Sequence, residues 1–301
     1  MSTTSELFFQ HGDREFRDKE VKLIQHTFEM FPKLSQSEMI ETVCEHLDWL
    51  TTSGMPKRTA CKQLLEQMEG QGLITFPKKR GKGSVSQPPP EETAKTDAPD
   101  ILEGPLKSIA PVVVTPVTND EDRHLWNEYM ERYHPLGFKR PFGHFIRYFV
   151  RASGQYLGCI LISGASRTLA SRDHWIGWDN KQRKVNLSWV INNSRYLIFP
   201  WINIPHLASH VLGQLARRVA DDWNERWGFR PLLLETFVDP AHYSGICYKA
   251  AGWELLGNTS GRGLARPSKS YKSSTKLIYV KPLSKQCQSL LCSTLESRTE
   301  L

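Results

Sequence analysis

The sequence has no C-x-x-C pair and no cysteine–histidine grouping at metal-ligand spacing, so no zinc site is expected. Its six cysteines (Cys44, Cys61, Cys159, Cys247, Cys287 and Cys292) are scattered, most of them beside apolar patterns or near the tail, which reads as reduced thiols in a cytoplasmic protein. No run of about 18 apolar residues occurs, so no membrane span is expected. Mean hydropathy is −0.45, that of a soluble protein. The opening segment MSTTSELFFQHGDREF lacks a basic region ahead of an apolar one, so no signal peptide is expected. There is no internal repeat. Between Leu255 and Leu295 there is no acidic residue at all.

What is present is a chain of 301 residues, long enough for two domains. Apolar residues make up 39% of it and there are nine tryptophans, enough for a sizeable core. Formal net charge is +7. Whole-chain charge is a weak guide to partners, but its distribution says more. The acid-free stretch carries Arg262, Arg266, Lys269, Lys272, Lys276, Lys281 and Lys285. It reads either as a solvated basic tail or as a surface that contacts phosphates.

Residues 14–31 read as a helix whose apolar stripe is Phe16, Val21, Ile24, Phe28 and Phe31. Pro32 stops it. The sequence S-Q-S-E at 35–38 is a capping box, opening a second helix with Met39, Val43, Leu47 and Leu50 on one side. After a turn at Ser53-Gly54, Pro56 opens a third helix carrying Cys61, Leu64, Leu65 and Met68. Gly70 and Gly72 end it, Leu73–Pro77 reads as a short strand, and 78–82 as a basic loop. Three helices, a strand and a basic loop are the order of a winged helix, so 1–80 is assigned as a winged-helix-like module. Its third helix is then the recognition helix, with Lys57, Arg58, Lys62, Gln63 and Gln67 as candidate nucleic-acid contacts. Modules of this size also serve protein contacts.

Residues 81–108, rich in proline, serine and charge and without an aromatic, read as a flexible linker. The second domain spans 109–283, and 284–301 is assigned as a C-terminal tail. Within the domain the patterns predict a helix near 120–133, a hairpin of 145–151 and 155–163, and a strand at 185–191, with 196–199 extending or following it. A long helix follows at 206–227, then a buried strand at 231–238, a short helix at 241–251, and strands at 253–257 and 276–280. This order resembles an N-acetyltransferase-like (GNAT) fold, giving an α+β protein with a mixed α/β second domain. In such a fold, the stretch 232–257 looks like the half in which a short helix delivers a tyrosine and a turn carries G-W.

Several polar residues stand among apolar ones in this domain. Arg172, Asn192, Asn193, Arg195, His206 and His210 form a candidate polar cluster. His206 and His210 share a helical face, a spacing that can serve a metal, but no H-E-x-x-H is present and no metal is assigned; helix capping is the plainer role. Asp173, Glu235, Asp239, Cys247 and Tyr248 are the catalytic candidates. Asp239, ahead of Pro240, is better placed as a cap for the helix after it. Cys247 as a nucleophile needs a paired base, so a packing role is the simpler one. The loop 258–263, N-T-S-G-R-G, suits an anion or an ordinary turn. With it, Arg262, Arg266, Lys269 and Lys272 are assigned to nucleic acid. An acyl-coenzyme A site needs glycines ahead of the long helix so that backbone can approach the pyrophosphate. Here 199–206 reads F-P-W-I-N-I-P-H, with no glycine and two prolines, and no cofactor is expected.

Seven motifs in order carry a more specific likeness. They are Y-H-P-L-G-F-K-R-P-F-G at 133–143, S-R-D-H-W-I-G-W-D at 171–179, V-I-N-N-S-R-Y-L-I-F-P-W-I at 190–202, L-A-S-H-V-L-G at 207–213, L-E-T-F-V-D-P at 234–240, C-Y-K-A-A-G-W at 247–253 and T-S-G-R-G at 259–263. In these the chain resembles the A-protein family of the Druantia anti-phage defence systems, whose domain also occurs in transposase-like proteins. The resemblance implies a bacterial, cytoplasmic subunit that acts with other Druantia subunits, a large helicase-like protein among them. DNA is the expected partner, no membrane is involved, and a homo-oligomer is left open. The alternative is an enzyme on the GNAT-like scaffold, either an acyltransferase with an unusual donor or a DNA-cleaving, transposase-related activity.

Overall fold

The computed structural model describes residues 9–12, 14–32, 34–51, 55–77, 90–141, 143–166, 168–260 and 274–293. The chain divides into two compact units, Met1–Ser86 with Glu225–Phe229, and Gln87–Asn224 with Arg230–Leu301. Among the described residues, no helix is long and apolar enough to cross a membrane. All six cysteines are free.

The first unit is built on three helices, α1 (Asp18–Met30), α2 (Gln36–His46) and α3 (Arg58–Gly70), behind a hairpin of β1 (Phe9–His11) and β2 (Arg14–Phe16). The helix expected from residue 14 therefore begins later. Arg14–Phe16 pairs with Phe9–His11 instead, and Phe16 enters the core from a strand, edge-on to Trp49. The capping box is as expected: the Glu38 N–H donates to Ser35 Oγ at 3.4 Å and the Ser35 N–H to Glu38 Oε2 at 2.9 Å. Val21, Ile24, Met39, Val43, Cys61, Leu64, Leu65 and Met68 fill the core.

The strand expected at 73–77 is not formed. Ile74 and Phe76 are buried and Thr75 is exposed, so the period of two is real, but among the described residues no strand pairs with it. The Phe76 N–H donates to the Glu69 carboxylate at 2.7 Å in place of a ladder partner. The basic loop at 78–82 and the Ser53-Gly54 turn lie outside the described residues.

In the second unit the elements are β3 (Leu102–Glu103), β4 (Val112–Pro116), α4 (Asp120–Tyr133), β5 (Phe145–Ala152), β6 (Gln155–Gly164), α5 (Ala170–Ile176) and α6 (Asn180–Asn186). Then come β7 (Val190–Ile198), β8 (Ile202–Asn203), α7 (Leu207–Trp227), β9 (Leu233–Val238), α8 (Ile246–Ala250), β10 (Glu254–Asn258), β11 (Leu277–Pro282) and α9 (Cys287–Leu291). Seven strands form one sheet in the order β10-β11-β9-β7-β6-β5-β4. Every neighbouring pair is antiparallel except β7 and β9, which α7 connects as a crossover. The helix, hairpin, strand, long helix, strand, short helix and two final strands follow in the order read from the sequence. Gly158 is where β6 and β7 come closest: a Cβ there would stand 2.2 Å from the Leu197 carbonyl.

Several boundaries differ from the sequence reading. Residues 185–189 close α6 and a short 3-10 turn, so β7 begins at Val190. Only Ile246–Ala250 of 241–251 is helical, because Gly245 takes a left-handed φ of 70° and Asp239 holds 241–243 as a turn. Residues 284–293, read as tail, include α9, whose Cys287 and Leu291 are buried. Asn186 Nδ2 donates to the Leu291 carbonyl at 2.6 Å and Gln288 Nε2 to that of Trp175. Residues 294–301 lie outside the described part.

The second half of the stretch read as a linker is likewise ordered. Thr93 and Thr96 both donate to the Glu128 carboxylate of α4, Tyr133 donates its hydroxyl to the Thr96 carbonyl at 2.7 Å, and β3 pairs with β8. Composition missed this because the segment is anchored by hydrogen bonds to one carboxylate rather than by apolar burial. Burial works against ionisation of Glu128, but the bonds from Thr96 and Thr93 outweigh it and hold the carboxyl below its usual range. A depressed carboxylate stabilises the fold above its unfolded pKa and ceases to as pH falls through the folded value. Hydrogen-exchange protection at residues 93–97, relative to the intrinsic rate at each pH, is therefore expected to be high at neutral pH and to fall below about pH 4.3. In Glu128→Ala, which removes the acceptor at a cost of about 1–3 kcal/mol, protection should be low at every pH.

Candidate functional site

The parallel pair β7–β9 is short. Val190, Ile191 and Asn192 face Leu233, Leu234 and Glu235, and no further pair follows. Beyond it β7 stays with β6, through a register shift around Ser194, and β9 stays with β11. The strands thus part toward their carboxyl ends, the position at which open mixed sheets commonly take ligands. Side chains alternate along a strand, so the polar residues at the parting go to opposite faces of the sheet. Asn192 and Glu235 share one face; Asn193 and Thr236 share the other.

On the first face, Glu235 and Arg172 are both fully buried. Arg172 Nη1 donates to Glu235 Oε2 and to the Ser166 carbonyl, each at 2.8 Å. Its Nε and Nη2 donate to Asp173 Oδ1 at 3.0 and 2.8 Å. The Ser166 N–H donates to the second Glu235 oxygen at 2.8 Å. Asp173 also takes Trp178 Nε1 at 3.1 Å, Arg183 Nη1 at 3.4 Å and the Leu169 N–H at 3.3 Å. Burial raises the Glu235 pKa, with the Arg172 charge acting the other way. The ion pair therefore ties α5 and the chain before it to β9. Asp173 and Glu235, both catalytic candidates, have their oxygens occupied by these donors.

On the second face, Thr236 Oγ1 donates across the parting to the Asn193 carbonyl at 2.9 Å. The Tyr248 hydroxyl donates to Asn193 Oδ1 at 2.7 Å, and Asn193 Nδ2 to the Arg195 carbonyl at 3.1 Å. Tyr248 is stacked on Tyr279 and lies edge-on to Trp253. Burial pushes its hydroxyl pKa well up, so it is a neutral donor. Tyr196 donates to the Ala208 carbonyl of α7 at 2.7 Å.

The remaining candidates separate. Asp239 Oδ1 accepts the Ala241 N–H at 3.1 Å and Oδ2 the Ser274 hydroxyl at 3.0 Å, a turn-capping role, and the Ala241 bond foremost lowers its pKa. Cys247 is half-buried, and burial raises its thiol pKa, which disfavours a thiolate nucleophile. His206 lies exposed just ahead of α7 with a φ of 66°, and His210 Nε2 is 2.8 Å from Gln214 Nε2. Among the described residues, no three metal-ligand side chains converge. Lys57, Arg58, Lys62, Gln63 and Gln67 lie on the outer side of α3, but Arg58 is paired with Glu41, and Lys62 with Glu66 at 3.1 Å. Arg262, Arg266, Lys269 and Lys272 lie outside the described residues.

The chain ahead of α7 does not fit acyl-coenzyme A. Pro200 and Pro205 have no N–H, those of Phe199 and Ile202 donate to the Leu157 and Phe199 carbonyls, and Ile202–Asn203 pairs with Leu102–Glu103. Glu103 itself accepts Asn203 Nδ2 there at 3.0 Å.

Sequence reasoning did not single out Arg147, which is buried. It projects from β5 on the first face, its Nε donating to Asn127 Oδ1 at 3.0 Å and its guanidinium lying over the rings of Phe145 and Phe138. An arginine inside the F-I-R-Y-F-V strand pattern was the available signal.

The family model described as Druantia protein DruA matches residues 68–276, more than half of the chain. No curated protein matches it. Among solved structures, an aminoglycoside acetyltransferase AAC(6')-Ib in complex with coenzyme A and kanamycin is 15% identical, covering 60% of this chain and 99% of its own, with a TM-score of 0.37. A polyamine N-acetyltransferase of Drosophila melanogaster is 12% identical, covering 57% and 99%, at 0.34. An aminoglycoside N(6')acetyltransferase of Legionella pneumophila is 9% identical, covering 56% and 78%, at 0.27.

Removing one partner of the buried pair leaves the other charge uncompensated. Glu235→Ala is expected to lower the unfolding free energy of the larger unit by about 3–5 kcal/mol in denaturant titrations. Arg172→Met with Glu235→Leu should recover much of that loss. A single variant as stable as the parent contradicts the anchoring role.

Proposed function

We propose that this chain, which belongs to the Druantia protein DruA family, is the nucleic-acid-facing subunit of a Druantia-type anti-phage defence system. It works in the cytoplasm beside partner subunits, a helicase-like protein among them. Family membership supports the defence role and the partners.

The observation that carries the nucleic-acid part is where the acid-free stretch is rooted. β10 and β11 pair through Asn258 and Leu277, and Leu277 in turn faces Val238 at the carboxyl end of β9. The Thr259 N–H donates to the Lys276 carbonyl at 2.8 Å, and Ser274 holds Asp239. Arg262, Arg266, Lys269 and Lys272 lie in sequence between these two roots. Several cations in a stretch of sequence that has no acid favour a polyanion over a small neutral substrate. The N-terminal unit supports a secondary contact through Lys57, Arg58, Lys62 and Gln63, weakened by the acids that answer Arg58 and Lys62.

Fluorescence anisotropy of the full chain with labelled single- and double-stranded oligonucleotides, over a salt series, tests this reading. Binding is expected to weaken steeply with salt. Reversing Arg262 and Lys269 together should cost about tenfold or more in affinity, and reversing Lys57 and Lys62 less. A full chain that binds neither form at low salt contradicts the reading.

A further inference from the structure

Among the described residues, every phenylalanine and tryptophan is buried or half-buried, and so is every tyrosine but one. Tyr243 is 56% exposed. The backbone that carries it is fixed at both ends. The His242 and Tyr243 N–H groups donate to the Asp239 carbonyl at 3.1 and 2.9 Å, and the Ala241 N–H donates to Asp239 Oδ1 at 3.1 Å. At the other end Gly245 is buried, and a Cβ there would stand 2.6 Å from the Tyr279 hydroxyl oxygen. A fixed turn therefore holds an aromatic ring in water. The ring neighbour of Tyr243 among the described residues is His242, 6.3 Å away and tilted by 45° rather than stacked on it.

The same turn anchors one root of the acid-free stretch. Asp239 Oδ2 accepts the Ser274 hydroxyl at 3.0 Å. The Asp239 carboxyl is held below its usual range first by the Ala241 bond and last by the Lys276 charge, which places that cation near the turn as well. Lys249 is exposed on α8, three residues after Ile246 and so on the same side of the helix as that exposed side chain. From Pro240 to Ser293 the sequence has eight lysines and arginines against one acid, Glu254. Asp239, just ahead of this span, has both oxygens occupied.

We propose that Tyr243 is a stacking platform for an unpaired base of a nucleic-acid strand, with Lys249 and Lys276 taking the phosphates beside it. This rests on the nucleic-acid reading above and gives it a preference for single strands over duplex. An open aromatic face accepts any base, since every base has a π-face, and nearby cations hold the backbone that carries it. Bases within a duplex are already stacked on one another and leave the ring without a partner. The site supplies affinity without reading sequence.

The test is anisotropy of the full chain and its variants with a labelled single strand, its duplex, and a strand of the same length in which abasic sites replace the bases, with each variant's melting curve recorded alongside. Tyr243→Ala should weaken single-strand binding about fivefold or more and duplex binding less than about twofold. Its slope of log affinity against log salt should match the parent's, because no charge is lost. Tyr243→Trp should keep the affinity, whereas Tyr243→Leu, apolar without a π-face, should lose it. On the abasic strand, parent and Tyr243→Ala should bind alike. Lys249→Gln with Lys276→Gln should flatten the single-strand slope by about 0.7 for each lysine. If Tyr243→Ala does not fold, the parent's preference for the base-bearing strand over the abasic one still tests the platform. Parental single-strand affinity in folded Tyr243→Ala, or an equal loss on single strand and duplex, overturns the platform and leaves the nucleic-acid reading standing. No binding of any oligonucleotide by the parent chain overturns both.

Discussion

The ion pair between Arg172 and Glu235 lies wholly inside the protein, on the one parallel strand pair of the seven-stranded sheet. That pair is three residues long, and everything at the parting depends on its being held. Glu235 fixes Arg172 and the Ser166 backbone, Arg172 fixes Asp173, and Asp173 gathers Trp178, Arg183 and the Leu169 N–H. A chain of charge-assisted bonds thus sets where α5 crosses the sheet, and with it the docking of α6 and α9. Buried ionic networks give little net stability over an apolar core, but leaving one member unpaired is costly, so the arrangement is specific to one geometry.

The two faces of the parting illustrate two uses of polar residues. Asn193, Thr236 and Tyr248 satisfy one another and close the gap with neutral hydrogen bonds. On the opposite face Arg172 is neutralised by Glu235 and Asp173. The stretch between Leu255 and Leu295 has seven basic residues and no acid.

Much of the larger unit could be read from sequence, because α4, the β5–β6 hairpin, α7 and β9 carry strong periodicities, and the motif series identified the family. What escaped were elements without such a signal. α5 and α6 are seven residues each and are set by ion pairs and caps rather than by an apolar stripe. The 90–109 segment is polar and is held by Glu128, Tyr133 and the pairing of β3 with β8. The hairpin before α1 took Phe16 from a helical stripe, because a phenylalanine fits either period. The candidate polar cluster of Arg172, Asn192, Asn193, Arg195, His206 and His210 divides between the two faces of the sheet and the start of α7, and sequence could not tell which face Arg195 takes, since a register shift beside Ser194 decides it. Glu235 stands out in the sequence because a carboxylate in a buried strand is conspicuous whichever role it serves.

Photo-crosslinking of the full chain to an oligonucleotide carrying a reactive base, with the attached peptides identified by mass spectrometry, addresses the central claim most directly. The account predicts crosslinks in 259–276, lost at high salt. Crosslinks confined to the N-terminal helices, or none on any part of the chain, would contradict it.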